Sequence, residues 1–198
     1  MNTMPDLETA RLTIRPFVID DLNDAHRLFD IEINAEDLHT EKIETVNDRA
    51  EWLQWSVLNY VQLAKLYQPP YGDRAIVLKE TGQLIGSVGY VPCLMSFEQM
   101  PNFGYYDASG KTGRATTEFG LFYAISPSHQ RQGYASEAAQ AMVDYAFQNL
   151  GLKRVIATTD FDNYGSMGVM RKLGMRVEKN PLGEPPWLQV AGVVENSK

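Results

Sequence analysis

Cysteine is almost absent from this chain of 198 residues. Cys93 is the only one, so an intrachain disulfide is excluded. No apolar run reaches the roughly 20 residues that a membrane-spanning helix needs, and the first residues do not have the pattern of a signal peptide. We therefore expect a cytoplasmic protein that makes no contact with a membrane.

Positively charged residues are also few. The sequence has 18 Lys and Arg against 25 Asp and Glu, which gives a net charge of −7 at pH 7. A nucleic-acid binder holds the phosphate backbone with clustered Lys and Arg, and no such cluster occurs along this sequence. The composition therefore argues against a nucleic-acid partner and is compatible with a cationic substrate such as an amine.

Metal-ligand spacings are missing as well. His26, His39 and His129 have no such spacing with one another or with Cys93. A stretch that begins like a calcium-binding loop places Arg171 at its twelfth position, where a bidentate Glu is required. We expect no metal site.

A phosphate loop of the Walker type is excluded by its spacing. Residues 109–112 read Ser-Gly-Lys-Thr, but the motif needs a glycine at position 105, which is Tyr. The segment that follows is predicted to be a strand, whereas the motif requires a helix. We interpret residues 109–112 as a surface turn.

The remaining pattern is that of a globular protein, with 44% hydrophobic and 22% charged residues. The length suits one well-cored domain, which we predict over residues 1–198, with a core at about 7–180 and an irregular insertion at about 91–116. Periodicity predicts a mixed α/β order. The predicted strands lie near residues 12–16, 75–78, 84–90, 119–125, 154–159, 175–177 and 187–194, and the helices near 20–29, 47–66, 139–150 and 166–173.

The most informative segment joins a strand to an amphipathic helix. An apolar run ends at Ile125, Pro127 stops the strand, and apolar residues at helical spacing then continue to Leu150. Gly133 lies at the start of this helix, where backbone N–H groups lack partners and the helix dipole is positive. Because Gly133 and the small Ala135 let an anion come close, we expect a phosphate or pyrophosphate site here.

A second motif follows the next predicted strand. Asn163 and Ser166 open a short helix that ends in Lys-Leu-Gly-Met175. Together with Gln-x-x-Gly-x-Ala from Gln130, this Asn-x-x-Ser motif resembles the GCN5-related N-acetyltransferases (GNAT). Met175 stands where the family usually has Phe, a change that keeps bulk and apolarity. The opening Glu-Thr-x-Arg-Leu-x-Ile-Arg-Pro is similar to the branch that includes ribosomal-protein N-terminal alanine acetyltransferases.

The resemblance implies a fold and an acetyl donor. The fold would be a single α/β domain with a central, mostly antiparallel, twisted sheet that is splayed at the cofactor site and flanked by helices. The donor would be acetyl-CoA, with no metal. The positions that match the family's cofactor-binding residues are Phe122, Tyr123, Ala124, Ile125, Gln130, Arg131, Gln132, Gly133, Tyr134, Ala135, Asn163 and Ser166.

These residues fall into three groups by their implied roles. Residues 122–125 would pair with the pantetheine amides like an added strand, residues 130–135 would cradle the pyrophosphate, and Asn163 and Ser166 would lie beside the pantetheine. Simpler interpretations stay open. Asn163 is a preferred helix N-cap in any protein, Ser166 fits an ordinary polar residue of a first helical turn, and Arg131 fits an ordinary surface charge.

The resemblance also suggests catalytic residues. Glu118 begins the central strand, where family members often place a carboxylate facing the acceptor amine, so it is the candidate general base. The alternative for Glu118 is a solvent-exposed carboxylate at a strand end. A backbone N–H around Ile125 would bind the thioester oxygen. Ser166 is the first candidate to protonate the departing thiolate, and Tyr164 is the second.

The implied function is acetyl transfer from acetyl-CoA to a primary amine by direct attack in a ternary complex. The partner would be an amine-bearing substrate, either a protein N-terminus or a small molecule such as a polyamine, and the protein would be a monomer or a homodimer. The alternative is a catalytically inactive CoA-binding sensor or interaction module of the same fold.

Overall fold

The computed structural model describes residues 3–33, 45–103 and 114–197. The α-helices are α1 (Leu22–His26), α2 (Val46–Lys65), α3 (Tyr134–Gln148) and α4 (Tyr164–Lys172). The strands are β1 (Leu7–Glu8), β2 (Leu12–Pro16), β3 (Gly72–Leu78), β4 (Leu84–Met95), β5 (Thr116–Ile125), β6 (Arg154–Thr159), β7 (Arg176–Lys179) and β8 (Val190–Glu195). A π-helical turn, Arg27–Glu32, continues α1.

Within the described residues the strands form one mixed sheet in the order β1-β2-β3-β4-β5-β6-β8-β7. Strands β5 and β6 run parallel, with Gly120 opposite Ile156. The pairs β1–β2, β2–β3, β3–β4, β6–β8 and β7–β8 are antiparallel. The predicted α/β class, a mostly antiparallel sheet with flanking helices, is confirmed, while a splay in the sheet stays a prediction.

The chain divides into two compact units. The first unit comprises Met1–Tyr90 and Phe122–Met142, and the second comprises Val91–Leu121 and Val143–Lys198. The assignment of residues 1–198 to one domain therefore stays a prediction.

Aromatic packing dominates the core of the first unit. The Trp52 ring of α2 meets the rings of Phe17 and Phe29 edge to face, with centroids 5.4 and 5.3 Å apart. Around them lie Ala25, Leu28, Ile33, Leu53, Ala75 and Leu84. Trp55 of the same helix is 59% exposed. Thr45 caps the start of α2, because its hydroxyl oxygen accepts the N–H of Asp48 (3.2 Å).

The core of the second unit is built on β6 and β8. Its members are Met95, Phe97, Met100, Phe103, Ile156, Leu188, Ala191 and Val193. Helix α4 packs on β8 where Gly192 has no side chain, since a Cβ there would lie 3.0 Å from the sulfurs of Met170 and Met175. Met175 is buried, as an apolar substitute for Phe should be.

The predicted irregular insertion is shorter than the sequence suggested. Strand β4 continues to Met95, and β5 already begins at Thr116. The stretch was predicted to be irregular because it is rich in Pro, Gly and Tyr, but a proline such as Pro92 is tolerated in a strand wherever its missing N–H is not needed. Residues 104–113, with the expected turn at 109–112, and His39 lie outside the described residues.

In the described ranges, no helix is long and apolar enough to cross a membrane.

Candidate functional site

The loop before α3, in the first unit, has an unusual backbone. Strand β5 ends at Ile125, a short 3-10 turn covers Pro127–His129, and α3 starts at Tyr134. Arg131 and Gly133 both have positive φ, of 61° and 87°. Glycine accepts such angles freely, whereas arginine does so at a cost. Strain of this kind is typical of ligand-binding loops.

The first backbone amides of α3 lie at the same place. The helix's first hydrogen bond runs from the Glu137 N–H to the Gly133 carbonyl (3.0 Å). The four N–H groups before Glu137 therefore have no partner inside the helix, and they lie at its positive end. A Cβ on Gly133 would lie 3.4 Å from Arg11 Nη2. The arrangement fits a pyrophosphate.

The two glutamines of the motif brace this loop. The side-chain amide of Gln130 donates to the Ile125 carbonyl (3.2 Å), and that of Gln132 donates to the Ser128 carbonyl (3.3 Å). Both bonds tie the loop to the segment just before it. Arg131 is exposed, and Tyr134 and Ala135 are partly buried.

Arg11 is a further brace that the sequence reasoning missed. Its Nε donates to Glu137 Oε2 (2.7 Å) and its Nη1 to the Gln132 carbonyl (3.0 Å). Its guanidinium carbon lies 4.3 Å from the centre of the Tyr134 ring. The family-like opening of the chain contained this arginine, but nothing local in the sequence indicated that it contacts a loop so far along the chain.

Glu137 is negatively charged beside the expected anion site, and its charge is compensated. Burial raises the pKa of Glu137, but hydrogen bonds from Thr9 and Arg11 outweigh that effect, and the pKa is lowered. The ionised carboxylate is thus matched by Arg11, so it does not cancel the positive field at the start of α3.

The end of β5 carries the residues expected to pair with pantetheine. Phe122, Tyr123 and Ala124 are partly buried, and Ile125 is buried. The N–H of Ser126 donates to the Ile85 carbonyl of β4 (2.8 Å), which anchors the end of the strand. The pairing with pantetheine stays a prediction.

Glu118, in the second unit, is not an exposed strand-end carboxylate. It is 7% exposed, and Arg154 donates from Nε to Oε2 (2.7 Å) and from Nη2 to Oε1. The Thr116 hydroxyl also donates to Oε1 (2.7 Å). Burial raises the pKa of Glu118, but Arg154 and Thr116 outweigh it, and the pKa is lowered. Since a low pKa makes a weak base, the geometry disfavours the predicted catalytic role, which stays a prediction.

Asn163 caps α4 in the second unit. Its Oδ1 accepts the backbone N–H of Ser166 (2.9 Å), so the simpler interpretation of this residue is present in the structure. Ser166 is partly buried, and the Tyr164 side chain is 71% exposed. The predicted roles of these residues toward CoA stay predictions.

The cap gives a measurable expectation. Asn163→Ala should lower the free energy of unfolding by about 1 kcal/mol, because the Ser166 N–H loses its acceptor. Asn163→Asp keeps an acceptor oxygen and should stay close to the wild type. Urea unfolding of the three proteins measures the difference, and equal stability of the alanine variant would show that the cap contributes nothing.

Among the described residues, no three or more His, Cys, Asp and Glu side chains come together in a group that could hold a metal ion.

Comparisons with known proteins show the family of this chain. The model of the acetyltransferase (GNAT) domain matches residues 11–176. The uncharacterized N-acetyltransferase YoaA of Bacillus subtilis is 30% identical over 175 residues, which cover 88% of this chain and 84% of that protein. A shorter match, 47% over 66 residues, covers 33% of this chain and 38% of the B. subtilis uncharacterized N-acetyltransferase YnaD.

A solved structure shares the whole fold. The ribosomal-protein-S5-alanine acetyltransferase of Vibrio fischeri superposes with a TM-score of 0.68 at 17% identity and covers 98% of this chain and 97% of that one. At this identity the likeness concerns the fold alone. The match of the family model over most of the chain shows that this protein belongs to the GNAT acetyltransferase family.

Proposed function

We propose that the protein is an acetyl-CoA-dependent N-acetyltransferase that moves an acetyl group to a primary amine by direct attack in a ternary complex. The observation that carries this proposal is the loop before α3, where Gly133 has a φ of 87° and precedes free helix amides, in a chain of the GNAT family. The reaction would take place in the cytoplasm. The acceptor would be a protein N-terminus, a polyamine or another small amine.

Different residues of the chain would bind different parts of acetyl-CoA. Acetyl-CoA supplies an acetyl group activated as a thioester. The amides of Gly133 and Ala135 would hold the pyrophosphate, and Phe122 to Ile125 would orient the pantetheine arm by strand-like pairing. Asn163 would contact CoA only with the part of its amide that is not used in the cap.

The acceptor must lose a proton before it can attack. At pH 7 this costs about 1.4 kcal/mol for an α-amine of pKa near 8 and about 4.6 kcal/mol for an alkylamine of pKa near 10.4. A general base is therefore more necessary for a side-chain or polyamine acceptor than for a protein N-terminus.

The departing thiolate needs little assistance, because its pKa lies near 8.5. The Ser166 hydroxyl is the proposed donor, and the exposed Tyr164 hydroxyl is the second candidate. A modest loss of turnover is what we expect from Ser166→Ala, since water replaces a weakly required acid.

Release of free thiol from acetyl-CoA tests the function. We expect release that depends on an added amine, with an equal amount of acetylated product in the mass spectrum. The panel includes an alanyl peptide, because one neighbour in fold is an alanine acetyltransferase, together with spermidine, lysine amide and an aminoglycoside. Tight CoA binding without turnover on the whole panel would favour the sensor instead.

A further inference from the structure

One carboxylate of the first unit has no role in the site described so far. Asp73 lies on β3 directly opposite Gly89 of β4, and the next pair on the same face is Ala75 with Ser87. Ala75 belongs to the apolar cluster that contains Leu53 of α2. Asp73 is therefore on the face of the sheet that α2 covers.

Among the described residues, no side chain pairs with the Asp73 carboxylate. It is partly buried, and none of the hydrogen bonds or ion pairs among the described residues ends on it. Burial raises its pKa to about 6, opposed only by the charge of Arg49. A carboxylate kept from water without donors costs stability, and groups of this kind are concentrated at functional sites.

The positive charges nearby are already neutralised. Arg49 of α2 donates from Nε and Nη2 to the carboxylate of Asp30. Arg15 of β2 forms the same forked contact with Asp21, through two hydrogen bonds of 2.7 Å. Asp73 is thus left as a negative charge that no cation of the described ranges pairs with, and such a charge attracts a cationic ligand.

Two other groups near Asp73 are engaged elsewhere. The Tyr60 hydroxyl donates to the backbone carbonyl of Asp73 and accepts the Phe17 N–H (3.1 Å). Arg74, the next residue of β3, belongs to the opposite face and donates to the Pro5 carbonyl (2.7 Å). The carboxylate therefore remains available to a ligand.

A second unsatisfied group lies on the same face. Ser87 is fully buried, and its hydroxyl oxygen has no hydrogen-bond partner. Ser87 and Asp73 are diagonal neighbours on the paired strands, a placement whose Cβ atoms are within about 7 Å. A small polar ligand, such as an ammonium group with three donors, can satisfy both oxygens at once.

Asp73 also lies near β5, the strand that is expected to pair with pantetheine. Gly89, opposite Asp73, has no side chain, and a Cβ there would lie 2.5 Å from Cε1 of Phe122. Phe122 opens the part of β5 expected to pair with pantetheine. Asp73 and Phe122 thus lie on either side of one glycine, within the first unit.

We propose that Asp73, assisted by the Ser87 hydroxyl, binds the ammonium group of the acceptor and takes its proton during acetyl transfer. This inference rests on the proposed function. It gives the base role to a carboxylate without partners rather than to Glu118, whose two oxygens are held by Arg154.

The proton and electron balance is simple. One N–H proton passes to Asp73, and the freed lone pair forms the C–N bond to the thioester carbonyl carbon. The C–S bond breaks with its electron pair on sulfur, which takes the second N–H proton and leaves as the thiol. Asp73 then returns its proton to water.

Asp73→Asn, which keeps the shape and removes the charge, is compared with Glu118→Gln. We expect Asp73→Asn to lower kcat/KM for the amine by about 10² to 10⁴-fold, with the CoA dissociation constant unchanged within about twofold. Its melting temperature should equal or exceed that of the wild type, because an unpaired charge has been removed from the interior. A drop in activity would then not reflect unfolding.

The pH profile separates a base from a structural residue. Wild-type kcat/KM should rise through pH about 6, where Asp73 ionises, and then level off up to the pKa of the amine. Asp73→Asn should lack this inflection and rise tenfold per pH unit up to the pKa of the amine, since only neutral amine can react. Loss of the inflection in Glu118→Gln, but not in Asp73→Asn, would overturn the inference.

Binding provides a readout that does not need turnover. Spermidine and an alanyl peptide are titrated calorimetrically into protein saturated with free CoA. Amine binding by the wild type that weakens at least about tenfold in Asp73→Asn supports the site, even if the thiol-release panel has refuted the proposed function. Equal affinities, or no amine binding to the wild type, would overturn it.

Discussion

Gly133→Glu is expected to weaken CoA binding by roughly 100-fold or more while leaving the protein folded. For a residue with a side chain, the φ of 87° found here costs about 1–2 kcal/mol of stability. The new carboxylate would also stand before the free amides of α3, where it competes with the pyrophosphate and repels it. Each 1.4 kcal/mol of these effects is tenfold in affinity. Isothermal calorimetry with CoA measures the loss.

Two variants separate the strain from the charge. Gly133→Ala imposes the same backbone cost without a carboxylate, and we expect about tenfold weaker binding. Gly151→Ala has a comparable φ, 66°, beyond the other end of α3, with no atom within 4 Å of the added Cβ. Gly151→Ala should lose about as much stability as Gly133→Ala, and its affinity for CoA should equal that of the wild type. Unchanged affinity in Gly133→Glu would refute the loop assignment.

Arg154→Met is expected to destabilise the protein by about 3–5 kcal/mol at pH 7. The substitution keeps an apolar side chain but leaves the buried Glu118 carboxylate without the two hydrogen bonds that Arg154 donates. It also removes the guanidinium from the ring of Phe97, 4.5 Å away. Urea unfolding measures the change in free energy. Arg171→Met, at an exposed arginine of the same unit, is the control and should change stability by less than about 0.5 kcal/mol.

The pH dependence follows from the sign of the pKa shift. In the wild type the pKa of Glu118 is lowered, because Arg154 and Thr116 outweigh burial. The stabilisation from this pair is therefore present above the ordinary glutamate pKa, near 4.3, and lost as the pH falls through the folded-state value. In Arg154→Met only Thr116 still opposes the effect of burial, so the pKa of Glu118 rises. The difference in stability between the variant and the wild type should therefore narrow toward pH 4.

A double variant shows whether the cost comes from the orphaned charge. Glu118→Met with Arg154→Met removes both partners, and we expect it to recover most of the stability that Arg154→Met loses, because replacing a whole buried pair by apolar groups is often neutral. Additive losses in the double variant would mean that the two residues stabilise the unit independently.

Local features of the site were predictable because their residues are contiguous. The run from Phe119 through Gly133 to the helix carries its own signals: a proline that ends the strand, a glycine before the helix and apolar spacing after it. The Asn163 cap is equally local, since its acceptor and the Ser166 N–H are three residues apart. Strand β6 was predicted with the bounds that the structure has, Arg154–Thr159.

The errors occurred where tertiary context outweighs local pattern. The irregular insertion was predicted to begin at about residue 91, yet β4 runs on to Met95. Trp55 has the residue type of a core position, yet it lies on the exposed side of α2. In both cases the decision depends on which neighbour covers the residue, and a single sequence carries little information on that point.

By itself the sequence determined the α/β class, the order of all strands but β1, the order of the helices, the acetyltransferase resemblance and the glycine-containing loop before α3, because each rests on short-range periodicity and backbone chemistry. Only the tertiary structure decided that Arg154 holds Glu118, that Arg11 braces the loop through Glu137 and that Asp73 has no partner among the residues that the structure describes. Charge and burial depend on atoms brought together from distant segments, and the basicity of a carboxylate follows from those atoms rather than from its place in the chain.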